Sequence, residues 1–310
     1  MNSDQSDWGR VVVVGSVNVD HTARVTRLPA PGETLLSDSY VVGAGGKGAN
    51  QAVTAARLQA PTTLIGTVGD DRAAADLTEM LAGEGVDVRQ LHRADGAATG
   101  VALITVDGGG ANTIVVGPQA NALLEPDQID DAVGVIASAA VLVAQLEVPL
   151  DAVTRAFELA RGAGVTTVLN ASPALTAPRL TSLLPLVDVV VVNTSEAAVL
   201  TGLDDPGAAA RRLVSMGPRS AVVTRGGAGA VWWDGAVLRS VAPFPVDEVD
   251  GTGAGDAFCG ALAAALAGGR PLAEGLEWAA AAGASAASRA GALASLPSRA
   301  EVAARLLNGR

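Results

Sequence analysis

The chain has 310 residues, of which 49% are apolar and only 3% aromatic, so one large domain with an aliphatic core is expected. Its formal net charge of −11 argues against a general affinity for nucleic acid or for an anionic membrane. Residues 1–10 are polar, no apolar run is long enough to span a bilayer, and the lone Cys259 excludes an internal disulfide, which together predict a cytoplasmic protein.

Short apolar runs alternate with helix-length segments along most of the chain. The runs that predict buried strands are 11–17, 64–68, 140–145, 166–170, 187–192 and 221–224. The segments that predict helices are 49–58, 73–84, 127–138, 150–163, 206–216, 257–267, 272–289 and 298–307. Buried strands that alternate with helices indicate an α/β fold, with three α/β/α layers around a mostly parallel sheet, formed by residues 1–310 as a single domain.

Two segments, at about 21–42 and 97–116, do not fit a buried parallel sheet. Pro29, Pro31 and Gly32 interrupt the first segment, and DGGG at 107–110 is a hairpin signal in the second. We expect these segments to form a small antiparallel β lid at the edge of the main domain.

The first candidate site residues are Asn18 and Asp20, at the end of the predicted strand 11–17. Residues two apart on a strand point to the same face, and ligands bind at the carboxyl ends of strands in an open α/β sheet. Hydrogen bonding to turn backbone is an equally good interpretation, because Asn and Asp often do this.

The segment GAGGKGANQ at 43–51 places four glycines around Lys47. Glycines let the backbone come close to a small polar ligand, and the spacing is wrong for a Walker A loop. Lys47 and Asn50 suit the binding of sugar hydroxyls. A glycine-rich hinge for the lid is a compatible alternative.

Three later strand ends also carry polar groups. Glu147 ends the strand that reaches Gln145, and NTSE at 193–196 places Asn193 and Glu196 on one side of a helical turn. That pair is a capping-box signature, and capping would not preclude an electrostatic role or the organisation of a Mg²⁺-bound water. TRGGAG at 224–229 offers flexible backbone to a nucleotide, which is a weak signal by itself.

The most informative motif is DGTGAGD at 250–256, before an alanine- and leucine-rich helical segment. A glycine-rich turn that enters a helix presents backbone N–H groups to an anion at the positive end of the helix dipole. Asp256 would be a carboxylate at the mouth of that anion site, which suits phosphoryl transfer to a hydroxyl. The competing interpretation makes Asp256 a structural helix N-cap.

Taken together, the motifs resemble the ribokinase/PfkB family of sugar kinases nearly from end to end. The matching strings are VVVVGSVNVD at 11–20, PGET at 31–34, GGKGANQ at 45–51, NTSE at 193–196 and DGTGAGD at 250–256. The resemblance implies a ribokinase-like fold and ATP-dependent phosphorylation of D-ribose at O5. The alternative is the same chemistry on another sugar or a nucleoside, such as deoxyribose, fructose or adenosine.

The resemblance also implies Mg²⁺, an activating K⁺-like monovalent cation, and a homodimer formed through the lid sheet. A non-catalytic sugar sensor is the alternative from a different class. The presence of both Asp256 and the glycine turn argues against a sensor. Gly251, where the family usually has Thr, and Ala280, where a polar adenine-side residue is frequent, depart from the family pattern without removing the chemistry.

The resemblance assigns roles residue by residue. Asp256 matches the catalytic base, and the amides of Gly253, Ala254 and Gly255 match the anion hole. The sugar-contacting positions are Asn18, Asp20, Gly46, Lys47, Asn50 and Glu147. The nucleotide-side positions are Asn193, Glu196, Thr224, Arg225, Gly226, Gly227, Ala228 and Gly229. The monovalent cation would lie among Asp250, Thr252, Ala286, Arg289, Gly291 and Ser295, the last four of which would contribute mostly backbone carbonyls.

Overall fold

A computed structural model of the chain describes residues 8–309. Most of the polar stretch 1–10 therefore lies outside the described residues. The strands are β1 (Arg10–Val14), β2 (Asn18–Arg24), β3 (Ser39–Gly45), β4 (Thr62–Val68), β5 (Val86–Arg93), β6 (Gly100–Val106), β7 (Asn112–Gly117), β8 (Ala139–Ala144), β9 (Thr166–Asn170), β10 (Val189–Asn193), β11 (Ser220–Thr224), β12 (Ala230–Trp233) and β13 (Leu238–Val241).

The helices lie mainly between these strands and after the last of them. They are α1 (Lys47–Arg57), α2 (Arg72–Gly83), α3 (Pro126–Asp131), α4 (Val133–Ala137), α5 (Leu150–Gly162), α6 (Thr194–Thr201), α7 (Pro206–Ser215), α8 (Ala254–Ala267), α9 (Leu272–Ala287) and α10 (Arg299–Asn308). None of the described helices is long and apolar enough to cross a membrane.

The main sheet has nine strands in the order β13-β12-β11-β10-β9-β8-β1-β4-β5. The pairs from β11 to β5 are parallel, and β12 and β13 are added by antiparallel pairing. On β1, Val11 and Val13 pack in one apolar cluster with Leu262, while Val12 and Val14 pack in a second cluster with Phe157. A strand covered by helices on both faces needs apolar side chains on both, which confirms the predicted layers.

The second sheet, which we call the lid sheet, has four strands in the order β3-β2-β6-β7. Its two hairpins, β2/β3 and β6/β7, are antiparallel as predicted, and the central pair β2/β6 is parallel. On one face, Ala102 and Ile104 are almost fully buried. Side chains alternate along a strand, so Leu103 and Val115, which are paired across β6 and β7, lie on the opposite, exposed face.

Several predicted element boundaries were wrong. The predicted strand 11–17 stops at Val14, and residues 15–17 are a short connection to the lid sheet, which the chain enters at Asn18. The predicted helix 127–138 is two short helices, α3 and α4. Strands β5, β12 and β13 and helix α6 were not predicted. The β5 sequence mixes Asp, Arg, Gln and His with apolar residues, because an edge strand is not buried on both faces.

Helix α8 passes very close to α1 at Gly260. A Cβ atom built on Gly260 would lie 2.5 Å from the Gln51 carbonyl oxygen and 2.6 Å from the Thr54 Cβ. Atoms at these distances overlap, so any larger residue must push the helices apart. This contact brings the start of α8 against the start of α1, where the glycine-rich motifs of both lie.

Replacing Gly260 with Ala is therefore expected to lower the free energy of unfolding by about 1–3 kcal/mol, through overpacking. Gly134→Ala is the matched control, because a Cβ there meets no atom within 4 Å. That control should be neutral or stabilising by up to about 1 kcal/mol, since alanine favours a helix over glycine. Urea unfolding of both variants measures the difference, and equal stabilities would contradict the predicted clash.

Candidate active site

A cleft of about 270 Å³ lies between the carboxyl ends of the main strands and the buried face of the lid sheet. Of the residues singled out from the sequence, those that line it are Asn18, Asp20, Gly46, Lys47, Asn50, Glu147, Asn193, Glu196, Thr224, Thr252, Gly253, Gly255 and Asp256. They come from parts of the chain more than 200 residues apart. The fold therefore gathers the separate motifs into one site at the edge of the sheet where open α/β folds bind ligands.

Asp256 lies in the first turn of α8 and is only 7% exposed. The N-cap of α8 is Gly253, with φ of +78°, and no side chain caps this helix. The interpretation of Asp256 as an N-cap is therefore wrong. Its carboxylate accepts hydrogen bonds from Asn50 Nδ2 at 2.9 Å and from Gln51 Nε2 at 3.1 Å. Both donors lie in the first turn of α1, across the close helix contact.

Gln51 belongs to a buried amide network that sequence reasoning missed. Its Nε2 also donates to Asn170 Oδ1 at 3.1 Å, and its Oε1 accepts from Gln145 Nε2 at 2.7 Å. Gln51 and Gln145 are fully buried. A buried side-chain amide requires hydrogen-bond partners. An uncharged polar residue in an apolar segment was therefore the sequence signal that could have revealed this network. The network fixes the orientation of the Asp256 carboxylate, because it holds one of the two donors to that carboxylate, Gln51, in place.

The carboxylate of Glu147 lies beside the N-terminus of α1. Its Oε2 accepts from Ser16 Oγ at 2.5 Å and from the Lys47 backbone N–H at 3.2 Å. The first N–H groups of a helix have no partner within the helix, so the carboxylate satisfies one of them and also faces the positive end of the helix dipole. Ser16, which the sequence analysis passed over, completes this arrangement.

Asn18 and Asp20 begin β2 in the lid sheet rather than ending β1 in the main sheet. They remain on one face, as predicted. Asn18 Oδ1 accepts from Asn121 Nδ2 at 2.7 Å, and Asn121 also holds the Val17 backbone through both of its polar groups. Asn121 is a second residue that the sequence did not reveal. The resulting orientation directs Asn18 into the cleft.

Asp20 is the most strongly perturbed acid in the cleft. Burial raises its pKa to about 7, and the charges of Glu147 and Asp256 add to the increase. Its carboxylate lies directly over Gly45, where any Cβ would collide with it, and its Oδ1 is buried without a hydrogen-bond partner. Asp20 is thus a carboxyl group ready to bind a polar ligand that supplies donors.

Lys47 carries the positive charge of the cleft. Burial lowers its pKa, but the carboxylates of Asp256, Glu147 and Glu196 outweigh burial and hold the pKa above its usual value. With Asp20, four carboxyl groups surround one ammonium group. The cleft is therefore negative overall, and a phosphate ligand would need additional positive charge.

The nucleotide-side residues are only partly in the cleft. Asn193 and Glu196 line it and form the predicted capping box, with each side chain accepting from the other's backbone N–H at 2.8 Å. Thr224 also lines the cleft. Residues 225–229 do not line it and form a tight turn at the end of β11, in which Arg225 donates to the Ala228 carbonyl at 2.6 Å.

The turn 250–255 leads into α8. Gly253 and Gly255 line the cleft, while the Ala254 N–H donates to the Gly251 carbonyl at 3.2 Å within the turn. Of the three amides predicted to form an anion hole, the Ala254 amide is thus engaged in this conformation. The other two lie at the start of a helix, where N–H groups face outward.

The residues predicted to hold a monovalent cation meet beside this turn only in part. Asp250 accepts from the Thr252 and Gly291 backbone N–H groups, both at 3.0 Å, and from Arg24 Nη2 at 2.8 Å. Two N–H groups and a guanidinium thus already surround the carboxylate. This donor set does not fit a free monovalent cation, which requires unoccupied oxygen lone pairs.

The other predicted cation ligands keep oxygen lone pairs free. The Ala286 carbonyl accepts one hydrogen bond, from the Arg289 N–H at 3.0 Å, and Ser295 Oγ donates to the Ala292 carbonyl at 2.7 Å. The Arg289 guanidinium pairs with Glu301 at 2.8 Å, a contact that does not involve the Arg289 carbonyl. Within residues 8–309, no group of three or more His, Cys, Asp or Glu side chains forms a metal-binding cluster.

Comparison with known proteins identifies relatives over nearly the whole chain. The pfkB family of carbohydrate kinases matches residues 9–299. A ribokinase of Staphylococcus aureus is 38% identical over 263 residues, which are 83% of this chain and 86% of that protein. A deoxyribokinase of Salmonella typhi is 36% identical over 258 residues, which are 82% of this chain and 84% of that protein.

The chain also matches part of a longer protein and a solved structure. It spans 48% of a bifunctional ribokinase/ribose-5-phosphate isomerase A of Fructilactobacillus sanfranciscensis, which is 38% identical over 263 residues. The structure of an Arabidopsis thaliana ribokinase complexed with ribose and ATP superposes with a TM-score of 0.88 at 30% identity, covering 98% of this chain and all of that one.

The raised pKa of Asp20 predicts a pH-dependent stability. The folded protein retains a proton near pH 7 that the unfolded chain releases near pH 4, so Asp20 destabilises the fold progressively as the pH rises through this window. Asp20→Asn should therefore stabilise the sugar-free protein at pH 8 by on the order of 2–4 kcal/mol, and scarcely at pH 4. Urea unfolding across this range tests it, with exposed Asp151→Asn as the control. An equal effect of Asp20→Asn at all pH values would contradict the assignment.

Proposed function

We propose that this chain, which belongs to the pfkB family of carbohydrate kinases, uses ATP to phosphorylate D-ribose at its 5-hydroxyl group. The chain is a kinase that transfers phosphate to a sugar hydroxyl. The observation that carries the proposal is the position of Asp256: a buried carboxylate in the first turn of α8, beside the glycine turn and facing a polar cleft.

Asp256 acts as the general base. Asn50 and Gln51 hold its carboxylate through one hydrogen bond to each oxygen, so the remaining lone pairs face the cleft. A sugar hydroxyl within hydrogen-bond reach of these lone pairs passes its proton to Asp256 as its oxygen attacks the γ-phosphorus of ATP. The bond between that phosphorus and the oxygen that bridges it to the β-phosphate breaks, and ADP is the leaving group. The amides of Gly253 and Gly255, at the positive end of the α8 dipole, stabilise the negative charge on the transferred group.

The sugar is held on the lid side of the cleft by Asn18, Asp20, Gly46, Lys47, Asn50 and Glu147. Asp20 Oδ1 and Asn50 Oδ1 are buried acceptors without a partner in the protein, and sugar hydroxyl groups would supply the missing donors. The apolar side chains of Ala102 and Ile104 on the lid sheet cover the same space. They exclude water that would otherwise compete with the sugar for the phosphoryl group.

The nucleotide is placed beside Asn193, Glu196 and the residues from Thr224 to Gly229. Asn193 and Glu196 are the residues that would face Mg²⁺ bound to the nucleotide, and Mg²⁺ supplies the positive charge that four carboxyl groups and a triphosphate together require. The Ala254 amide joins the anion hole if the turn opens when phosphate binds. The monovalent cation implied by the resemblance is not part of this proposal, because Arg24 already pairs with Asp250.

A second candidate substrate is 2-deoxy-D-ribose. A deoxyribokinase relative is nearly as similar to this chain as the ribokinases are. The two sugars differ by one hydroxyl group. A site that uses buried polar groups to bind this hydroxyl loses much of its affinity for the deoxy sugar, because those groups are left unpaired. Relative kcat/KM for the two sugars therefore decides between them.

We also propose a homodimer formed through the outer face of the lid sheet. Tyr40, Val42, Leu103 and Val115 are 52–65% exposed on this face. Val42, Leu103 and Val115 lie in one row across the sheet, because His21 pairs with both Val42 and Leu103, and Leu103 pairs with Val115. A contiguous apolar patch of this kind on a sheet usually marks an interface with another protein surface.

For catalysis, Asp256→Asn should lower kcat by about 10³-fold or more while the protein remains folded, because the base is lost. The new NH2 group would face one of the two amide donors, and a 180° rotation of the Asn50 amide, whose Oδ1 has no protein partner, would restore that hydrogen bond. An ADP-release assay over a panel of D-ribose, 2-deoxy-D-ribose, D-fructose and adenosine measures it. The control Asp151→Asn, at an exposed position on α5, should retain normal turnover. Near-normal turnover in Asp256→Asn, or sugar binding without ADP release by the unaltered chain, would contradict the proposal.

For assembly, Val115→Asp should convert the dimer into a monomer, because a charge would be buried in an apolar interface. Val199→Asp places the same charge at an exposed position on α6 and should leave the dimer intact. Sedimentation velocity measures the mass of each species. A monomeric unaltered chain, or a dimeric Val115→Asp variant, would show that this face is not the interface.

A further inference from the structure

The carboxylate of Asp250 is a buried charge at the start of the turn 250–255. Its side chain is only 1% exposed, and its two oxygens accept hydrogen bonds from the backbone N–H groups of Thr252 and Gly291. These bonds fix the shape of the turn that leads to Gly253 and Asp256. An ionised carboxylate in such surroundings is strongly unfavourable unless a cation lies beside it.

The cation beside Asp250 is Arg24, the last residue of β2. Its Nη2 donates to Asp250 Oδ2 at 2.8 Å, and its side chain is 35% exposed. The carboxylate therefore already lies beside a positive charge that the protein itself supplies.

Arg24 is also part of the lid. Its backbone pairs with Ser39 on β3 and with Val106 on β6, in the interior of the lid sheet. The same strand begins in the cleft with Asn18, about 20 Å away, and Asp20, about 13 Å away, at the usual rise per residue. One strand thus connects the sugar side of the cleft with the turn that faces the phosphate.

We propose that Arg24 is the resident cation of Asp250, in the place that a free monovalent cation would otherwise take, and that it ties the lid to the shape of the turn 250–255. A K⁺ ion entering this place would meet the positive guanidinium and oxygens that already accept N–H groups. The guanidinium remains charged at all relevant pH values, so the turn keeps its shape whichever salt is present. The effect on turnover rests on the proposed function, whereas the occupancy of the site does not.

The test compares four proteins: the unaltered chain, Arg24→Gln, Arg24→Lys and Arg27→Gln. The last is a control on the same segment, where an exposed arginine pairs with Glu33. The melting temperature of each, without nucleotide or sugar, is measured in KCl and in N-methyl-D-glucamine chloride at equal ionic strength. If Arg24→Gln does not fold, the double variant Arg24→Gln/Asp250→Asn is used, since it removes the buried charge as well.

We expect the unaltered chain, Arg24→Lys and Arg27→Gln to melt at the same temperature in both salts. Arg24→Gln should melt about 5 °C lower in N-methyl-D-glucamine chloride and recover most of that loss in KCl. The double variant should fold and should melt at the same temperature in both salts. In Arg24→Gln, the KM for the sugar should be about tenfold higher than in the unaltered chain, and it should return towards the unaltered value in KCl.

Three results would overturn the proposal. The first is a stabilisation of the unaltered chain by KCl as large as that of Arg24→Gln, which would show that a free cation binds beside Arg24. The second is a loss of stability in Arg24→Gln that KCl does not restore, and the third is a double variant that still responds to KCl. If no sugar is phosphorylated by any of the proteins, the proposed function fails, and the melting temperatures still decide the role of Arg24.

Discussion

The hydrogen bonds from Asn50 and Gln51 to Asp256 are the contact on which the rest of the site depends. They exist because α1 and α8 approach each other at Gly260 so closely that no side chain fits between them. The same approach sets the start of α8, with the turn 250–255, against the start of α1, with Lys47. The proposed base Asp256, the proposed anion-binding turn and the ammonium group are thereby placed by one packing constraint between two helices.

The lid sheet completes the site through a single strand. β2 carries Asn18 and Asp20 at its beginning and Arg24 at its end, so its position determines both the sugar side of the cleft and the neutralisation of Asp250. The cleft has an excess of negative charge around Lys47, and it raises the pKa of Asp20. A polar, hydroxyl-rich ligand relieves this arrangement by donating hydrogen bonds, whereas an anion needs an accompanying metal ion. These requirements match a sugar and a magnesium-bound nucleotide.

The layered fold and most cleft residues could be predicted from the sequence, because continuous valine runs indicate strands buried on both faces, and glycine-rich turns at the starts of helices suit the binding of an anion. The end of β1 at Val14 could not be predicted, since Val17 continues the apolar pattern although the backbone has already left the main sheet. Gln51, Gln145, Asn121 and Arg24 were missed for a different reason. Their partners are 94 or more residues away in sequence, and only the fold brings them together. The cation ligands were inferred from the family resemblance, which gave no indication that Arg24 lies beside Asp250.

The most direct test of the account is the distance from the Asp256 carboxylate to the acceptor oxygen of a bound sugar. A crystal structure of the chain with D-ribose and a non-hydrolysable ATP analogue provides it. The account predicts that the 5-hydroxyl oxygen lies about 2.6–3.2 Å from a carboxylate oxygen of Asp256 and is directed at the γ-phosphorus. A sugar bound with another hydroxyl group at Asp256, or with none within hydrogen-bond reach of it, would contradict the account.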